Sequence, residues 1–122
     1  MASLNAKDIA VGLRTYMRIM QAWAVEDRRA MAILDAPEST YYQWSENPEQ
    51  AQLSEEQIKR MSYVFGIYKR LQILLPDPAI ADSWVSNRNS ATLFAGRRPL
   101  DLMSSGSLEE LRQVRDYLQA EM

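Results

Sequence analysis

Between Ser54 and Pro76 the sequence permits little but a helix. Ser54 and Gln57 stand three apart, the spacing at which each side chain caps the other's backbone N–H. Behind them Ile58, Met61, Val64, Phe65, Ile67, Tyr68, Leu71, Leu74 and Leu75 recur at helical spacing and cover more than half the circumference. Lys59, Tyr63 and Arg70 are left for water, and Pro76 stops the run at about Leu75. An apolar face this wide has to be buried from two sides. The flanking segments, or a second subunit, must therefore supply partners for this central helix. Gly66 inside it costs about 1 kcal/mol relative to alanine, which a close helix approach explains.

Upstream, Asn5 is an N-cap with Asp8 three residues on, and Ile9, Leu13, Tyr16 or Met17, and Met20 form a helical stripe closed by Trp23. A second, short helix fits Glu26 to Leu34, burying Val25, Ala30, Ile33 and Leu34. Asp35 and Ala36 break it; Asp tolerates the left-handed backbone such a break requires. Pro37 suits the first position of a third helix, on which Pro37, Tyr41 and Trp44 share one face while Ser39, Tyr42, Gln43 and Glu46 point away. Two short helices joined by a tight turn, the second anchored by an aromatic, form a helix-turn-helix pattern. The segment from Ala24 to Trp44 resembles the Xre and phage-repressor type. That resemblance makes Ser39, Thr40, Tyr42 and Gln43 the DNA-reading candidates. Residues 23–46 carry five acids against two arginines, however, so strong DNA binding by a lone copy is not expected.

Composition excludes much. With 122 residues, 47% of them hydrophobic and 25% charged, the chain suits one folded unit or two small helical subdomains sharing a core. There is no cysteine and no histidine, which removes thiolate chemistry, disulfides and the commonest general base and metal ligand. No cofactor or metal is expected, and an enzyme would have to work with carboxylates alone. The pairs Glu55/Glu56 and Glu109/Glu110 sit where helix dipoles already account for them. No apolar run approaches the roughly 20 residues a membrane helix needs, and the N-terminus lacks a signal-type apolar region, so a cytoplasmic protein is expected.

The chemistry-bearing stretch is Trp84 to Met103. Asp77 and Pro78 start a short helix carrying Ile80 and Trp84; Asn87, Arg88 and Asn89 form a turn able to donate amides across an interface. Leu93 and Phe94 return to apolar contact, Gly96 permits a left-handed backbone, Arg97 and Arg98 follow, and Pro99 opens a turn with Leu100, Leu102 and Met103 that Gly106 ends. Ser107 and Glu110 then cap a final amphipathic helix bearing Leu111, Val114, Tyr117 and Leu118, with Arg112 and Arg115 near its polar side. Interfaces favour Trp, Tyr, Met and Arg as anchors, which singles out Arg97, Arg98 and Met103 as exposed candidates. Trp84 and Phe94 also read as core.

This order of Trp84, an Asn-bearing turn, Leu93-Phe94, Gly96, Arg97-Arg98, Pro99-Leu100, Leu102, Gly106, Val114 and Leu118 resembles the toxin-binding domain of the MbcA/ParS/Xre antitoxins. The sequence departs from the commonest pattern in reading Asn87-Arg88-Asn89 where Pro-Asn is frequent. The resemblance implies an all-α fold, with an Xre-like helix-turn-helix region at 1–54 and a toxin-binding domain at 55–122. The two would share the long central helix, with a soft hinge near 76. It implies a type II antitoxin that covers the NAD cleft of a RES-domain toxin and, as a complex, binds operator DNA as a homodimer or higher hetero-oligomer. The toxin-facing set would be Asn87, Arg88, Phe94, Arg97, Arg98, Leu100, Met103, Arg115 and Tyr117. The cleft could be met by the carboxylates Asp101, Glu109, Glu110, Asp116 and Glu121 or by apolar bulk. The other reading is a stand-alone repressor whose C-terminal half only dimerises.

Overall fold

The computed structural model describes residues 4–122; the first three residues of the proposed N-terminal region lie outside the described residues. Among the described residues every regular element is a helix or helical turn, so the fold is all-α. Helix α1 (Ala6–Ala22) starts where Asn5 Oδ1 accepts the Asp8 N–H at 2.8 Å. Helices α2 (Asp27–Leu34) and α3 (Glu38–Glu46) follow, separated by three residues of which Asp35 adopts the left-handed conformation at φ 57°, ψ 46°. A single helical turn at Pro48–Gln50 leads to α4 (Glu55–Leu74), entered through the reciprocal Ser54–Gln57 cap. Then come α5 (Pro78–Ser83), running into a tight turn at Trp84–Ser86, the one-turn α6 (Pro99–Met103), and α7 (Leu108–Glu121).

Helix α4 lies in the middle, with α7 on one side and α1 and α2 on the other. That cover buries Met61, Val64, Ile67 and Leu71 and leaves Ile58, Phe65, Tyr68, Leu74 and Leu75 half-buried. Met61, Val64, Ile67 and Leu71 join Leu13, Tyr16, Ile33, Phe94, Leu111 and Leu118 in one continuous core. Gly66 faces Arg70 of its own helix and Arg115 of α7: a Cβ there would stand 2.9 Å from Arg70 Nη1 and 3.3 Å from Arg115 Cγ. A larger residue would displace those two side chains.

The expectations for Pro37, Tyr63 and Arg70 need correction, Arg70 being half-buried, and the sequence suggests none for Arg60. Pro37 is the exposed N-cap of α3 and not its first residue, so the buried face of that helix is Tyr41 and Trp44 alone. Tyr63 is half-buried, because the Arg115 guanidinium lies 4.7 Å over its ring and takes it out of water. Arg60 goes almost fully inside, at 3% exposure. Its Nη1 donates to Ile33 O at 3.3 Å and its Nη2 to Gly106 O at 2.8 Å, so it ties the end of α2 to the α6–α7 turn through α4.

A second tie runs through Tyr16, whose buried hydroxyl donates to Ala30 O at 2.7 Å and locks α1 to α2. Burial pushes this phenol well above its ordinary pKa, so it stays a donor at any working pH.

Candidate interaction surface

The chain from Trp84 to Met103 is a clipped loop resting on α7. Its ends are held together by Asn89, whose N–H donates to Arg97 O at 3.0 Å and whose O accepts from Gly96 N at 2.8 Å. The Asn89 side chain also accepts from Ala91 N at 2.9 Å, the local turn that makes asparagine suit this position. Between the clipped ends the backbone reverses through two left-handed residues, Ala95 at φ 51° and Gly96 at φ 84°. Glycine carries the second without strain; alanine carries the first at a cost the clip must offset.

Three aromatic rings fasten the loop to the core. Phe94 points inward with no exposure and meets Trp84 edge-on at 5.7 Å and Tyr117 edge-on at 5.1 Å. Trp84 and Tyr117 stack at 6.3 Å, and both are half-buried. Edge-to-face and stacked geometries at these distances are the favourable ones for ring quadrupoles. Since Tyr117 belongs to α7, the loop and the final helix form one surface.

Of the residues expected to face a toxin, Asn87, Arg88 and Arg97 are exposed. Arg98, Arg115 and Tyr117 are half-buried. Phe94, Leu100 and Met103 are core. The expectation that Met103 is exposed is corrected: four of the five residues of α6, namely Pro99, Leu100, Leu102 and Met103, face inward. A one-turn helix laid flat on a core buries almost every side chain except the one that caps it. That one is Asp101. It accepts from Arg98 Nη2 at 2.9 Å and from Arg98 N at 3.2 Å, and Arg29 of α2 stands 3.3 Å away. Arg29 also donates to Ser104 Oγ at 2.7 Å, so the loop's C-terminal side is tied to α2.

The hydrogen bond from Arg98, aided by its charge and that of Arg29, holds the Asp101 carboxyl below its ordinary pKa. A carboxyl depressed in the folded chain contributes stability at neutral pH and loses it as pH falls below about 4. The pair is partly solvated, so its contribution is small. Asp101→Asn is expected to be slightly less stable than wild type at pH 7, with the gap closing at pH 3. Urea denaturation at both pH values measures it, and a pH-independent gap would assign the loss to packing.

Two further carboxylates of this face, Glu109 and Asp116, are also engaged. Arg112 holds Glu109 and, at 2.7 Å, Asp116; Arg115 Nε donates to Asp116 at 2.9 Å. Among the described residues, no cluster of His, Cys, Asp or Glu could hold a metal ion.

The DNA-reading candidates lie together on α3. Ser39, Tyr42 and Gln43 are exposed and Thr40 is half-buried. The Tyr42 hydroxyl donates to Asp27 at 3.3 Å, and Tyr41 beneath it is pushed up to about 12 by burial and then by Asp27. Sequence reasoning missed Arg60 and the role of Asn89 as a clip. Both depend on carbonyls brought near by the fold, although the turn-forming character of Asn89 was visible.

No helix among the described residues is long and apolar enough to cross a membrane. Over 120 residues, 98% of this chain and 90% of the other, the sequence is 28% identical to a Sinorhizobium fredii protein named only as uncharacterized protein y4oB. No solved structure matches the chain. Residues 70–121 match the C-terminal toxin-binding domain of the antitoxins Xre, MbcA and ParS. That span runs from the last turn of α4 through the aromatic-pinned loop to the end of α7. The C-terminal region thus matches the toxin-binding domain family of the antitoxins Xre, MbcA and ParS.

Proposed function

We propose that this chain is the antitoxin of a type II toxin–antitoxin pair. Residues 55–122 would act as the toxin-binding domain and residues 1–54 as an Xre-like helix-turn-helix region. The observation that carries the reading is the coincidence of the family match at 70–121 with a hydrogen-bonded loop presenting Asn87, Arg88 and Arg97. The partner is a RES-domain toxin that consumes NAD or transfers ADP-ribose, and the loop with α7 covers its cleft.

Support for a DNA-reading role comes from α2 and α3. Their three-residue turn carries a left-handed Asp35, and α3 buries Tyr41 and Trp44 while offering Ser39, Tyr42 and Gln43 outward. These are side chains able to reach base edges. The acids Asp27, Glu38 and Glu46 around them oppose phosphate contact, so operator binding belongs to the toxin complex, in which copies of α3 act together.

The test is coexpression with the product of the adjacent reading frame. The expected result is a stoichiometric complex on size exclusion and relief of that product's growth arrest. Ser39→Glu with Gln43→Glu should abolish the gel shift of the complex on its own promoter and leave neutralisation unchanged. Separate elution together with a harmless neighbour would overturn the toxin reading. A specific gel shift by the chain alone at physiological salt would favour the stand-alone repressor.

A further inference from the structure

We propose that Arg88 and Arg97 form a preorganised two-pronged clamp for carboxylates on the partner protein, so that this surface docks on an acidic patch. The inference rests on the toxin-binding reading and adds the chemistry of the contact.

Local charge is the first ground. From Ser83 to Leu100 the sequence holds three arginines and no acid, within a chain whose net charge is -2. Pairing is the second. Arg29, Arg98, Arg112 and Arg115 each lie within ion-pair distance of a carboxylate of the same chain. Among the described residues, Arg88 and Arg97 have no such partner. Arg97 Nε donates to Phe94 O at 3.0 Å and its Nη2 to Leu93 O at 3.4 Å, while Arg88 Nη1 donates to Gly96 O at 3.4 Å. Carbonyls orient a guanidinium without neutralising it. Each guanidinium has five N–H donors, so most remain to grip a carboxylate in the two-bonded mode that Arg geometry favours.

Placement is the third ground. Asn89 pairs with residues 96 and 97, which brings Arg88 and Arg97 to the same end of the loop, and Phe94 fixes that end to α7. Side chains already aimed by loop carbonyls lose less freedom on binding than free arginines would. The opposite electrostatic mode, in which this face offers carboxylates to a cationic cleft, is poorly served. Of the five carboxylates named for that mode, Asp101, Glu109 and Asp116 are held by internal arginines, and Glu110 and Glu121 on α7 are not. Within the loop from Ser83 to Leu100 the unspent charge is positive.

An acidic protein surface is favoured over nucleic acid as the occupant. Two prongs suit a pair of carboxylates, whereas a duplex backbone is tracked by many cations and repelled by an acidic chain. Desolvated charge pairs of this kind set affinity and salt dependence together.

The experiment titrates the full chain against the purified product of the adjacent reading frame, by calorimetry at low and high salt. Variants are Arg88→Glu with Arg97→Glu, and Arg88→Lys with Arg97→Lys. Both side chains are exposed, so circular dichroism and melting should stay as in wild type. The Glu pair is expected to weaken binding roughly 100-fold and to flatten its salt dependence, the Lys pair roughly tenfold. Wild-type affinity in the folded Glu pair, with wild-type binding intact, overturns the clamp and leaves the antitoxin reading standing. Failure of the wild type to bind overturns that reading instead. If the Glu pair keeps the protein partner and loses the promoter duplex, the prongs serve phosphate and the proposal fails.

Discussion

Phe94→Ala is expected to lower stability by roughly 3–5 kcal/mol, the range for removing a fully buried aromatic ring. In a chain of this size that corresponds to a fall in Tm on the order of 10–20 °C. The ring is wholly enclosed, and its edges contact Trp84 and Tyr117. Its removal opens a cavity that one-turn α6 and the clipped loop can only partly fill. The loss has a second consequence, because Phe94 O is also the acceptor that aims Arg97. A loop unpinned from α7 should bind its partner more weakly even at temperatures where the helices persist. Thermal melts of Phe94→Ala and Phe94→Leu check the packing argument, since Leu keeps most of the volume and should cost far less. A loss under about 1 kcal/mol in the Ala variant would mean that the ring contributes little to holding the loop.

What was legible in the sequence divides by the range of the chemistry involved. Helix entries at Asn5, Ser54, Asp77 and Ser107 are set by side chains two or three residues from the N–H they cap, and all four caps form. The left-handed turn at Asp35 is local in the same sense, and so is the wide stripe of α4 that dictates an all-α fold. The surface was read less well. Phe94, Leu100 and Met103 sit among turn formers and arginines, a setting in which an apolar residue suits a core or an interface equally. Only the closure of α6 against α7 decides that all three are buried. Likewise the carboxylates of the last helix looked available. Arg112 and Arg115 claim Glu109 and Asp116 through contacts at spacings of one to four residues, so these were readable in principle. The contact between Arg29 and Asp101 spans α2 to α6 and was not readable.

Arg60 is the clearest case of chemistry that only the fold reveals, and its replacement should have the widest effect. Arg60→Ala is expected to cost on the order of 3–5 kcal/mol, as for removal of one member of a buried charged network. The residue has 3% exposure, so the space it leaves lies inside the protein. Two carbonyls lose their charged donor at once: Ile33 O near the end of α2, where helix carbonyls lack intrahelical partners, and Gly106 O in the turn before α7. Glu56 also loses its 3.2 Å partner, although it is half in water and re-solvates. Arg60→Met separates the two causes, since it restores volume without donors. If packing dominates, the Met variant recovers most of the stability; if the carbonyls dominate, it stays close to the Ala variant. Urea denaturation ranks the variants, and hydrogen exchange locates the damage. The expected pattern is faster exchange both at the end of α2 and around residues 104–108, because one side chain holds the two together through α4. Slowed folding stability with exchange changed at α4 alone would show that the arginine anchors only its own helix. Faster exchange at both distant sites would mean that the helices carrying the DNA-reading candidates and the turn beneath the proposed partner-facing surface loosen as a unit.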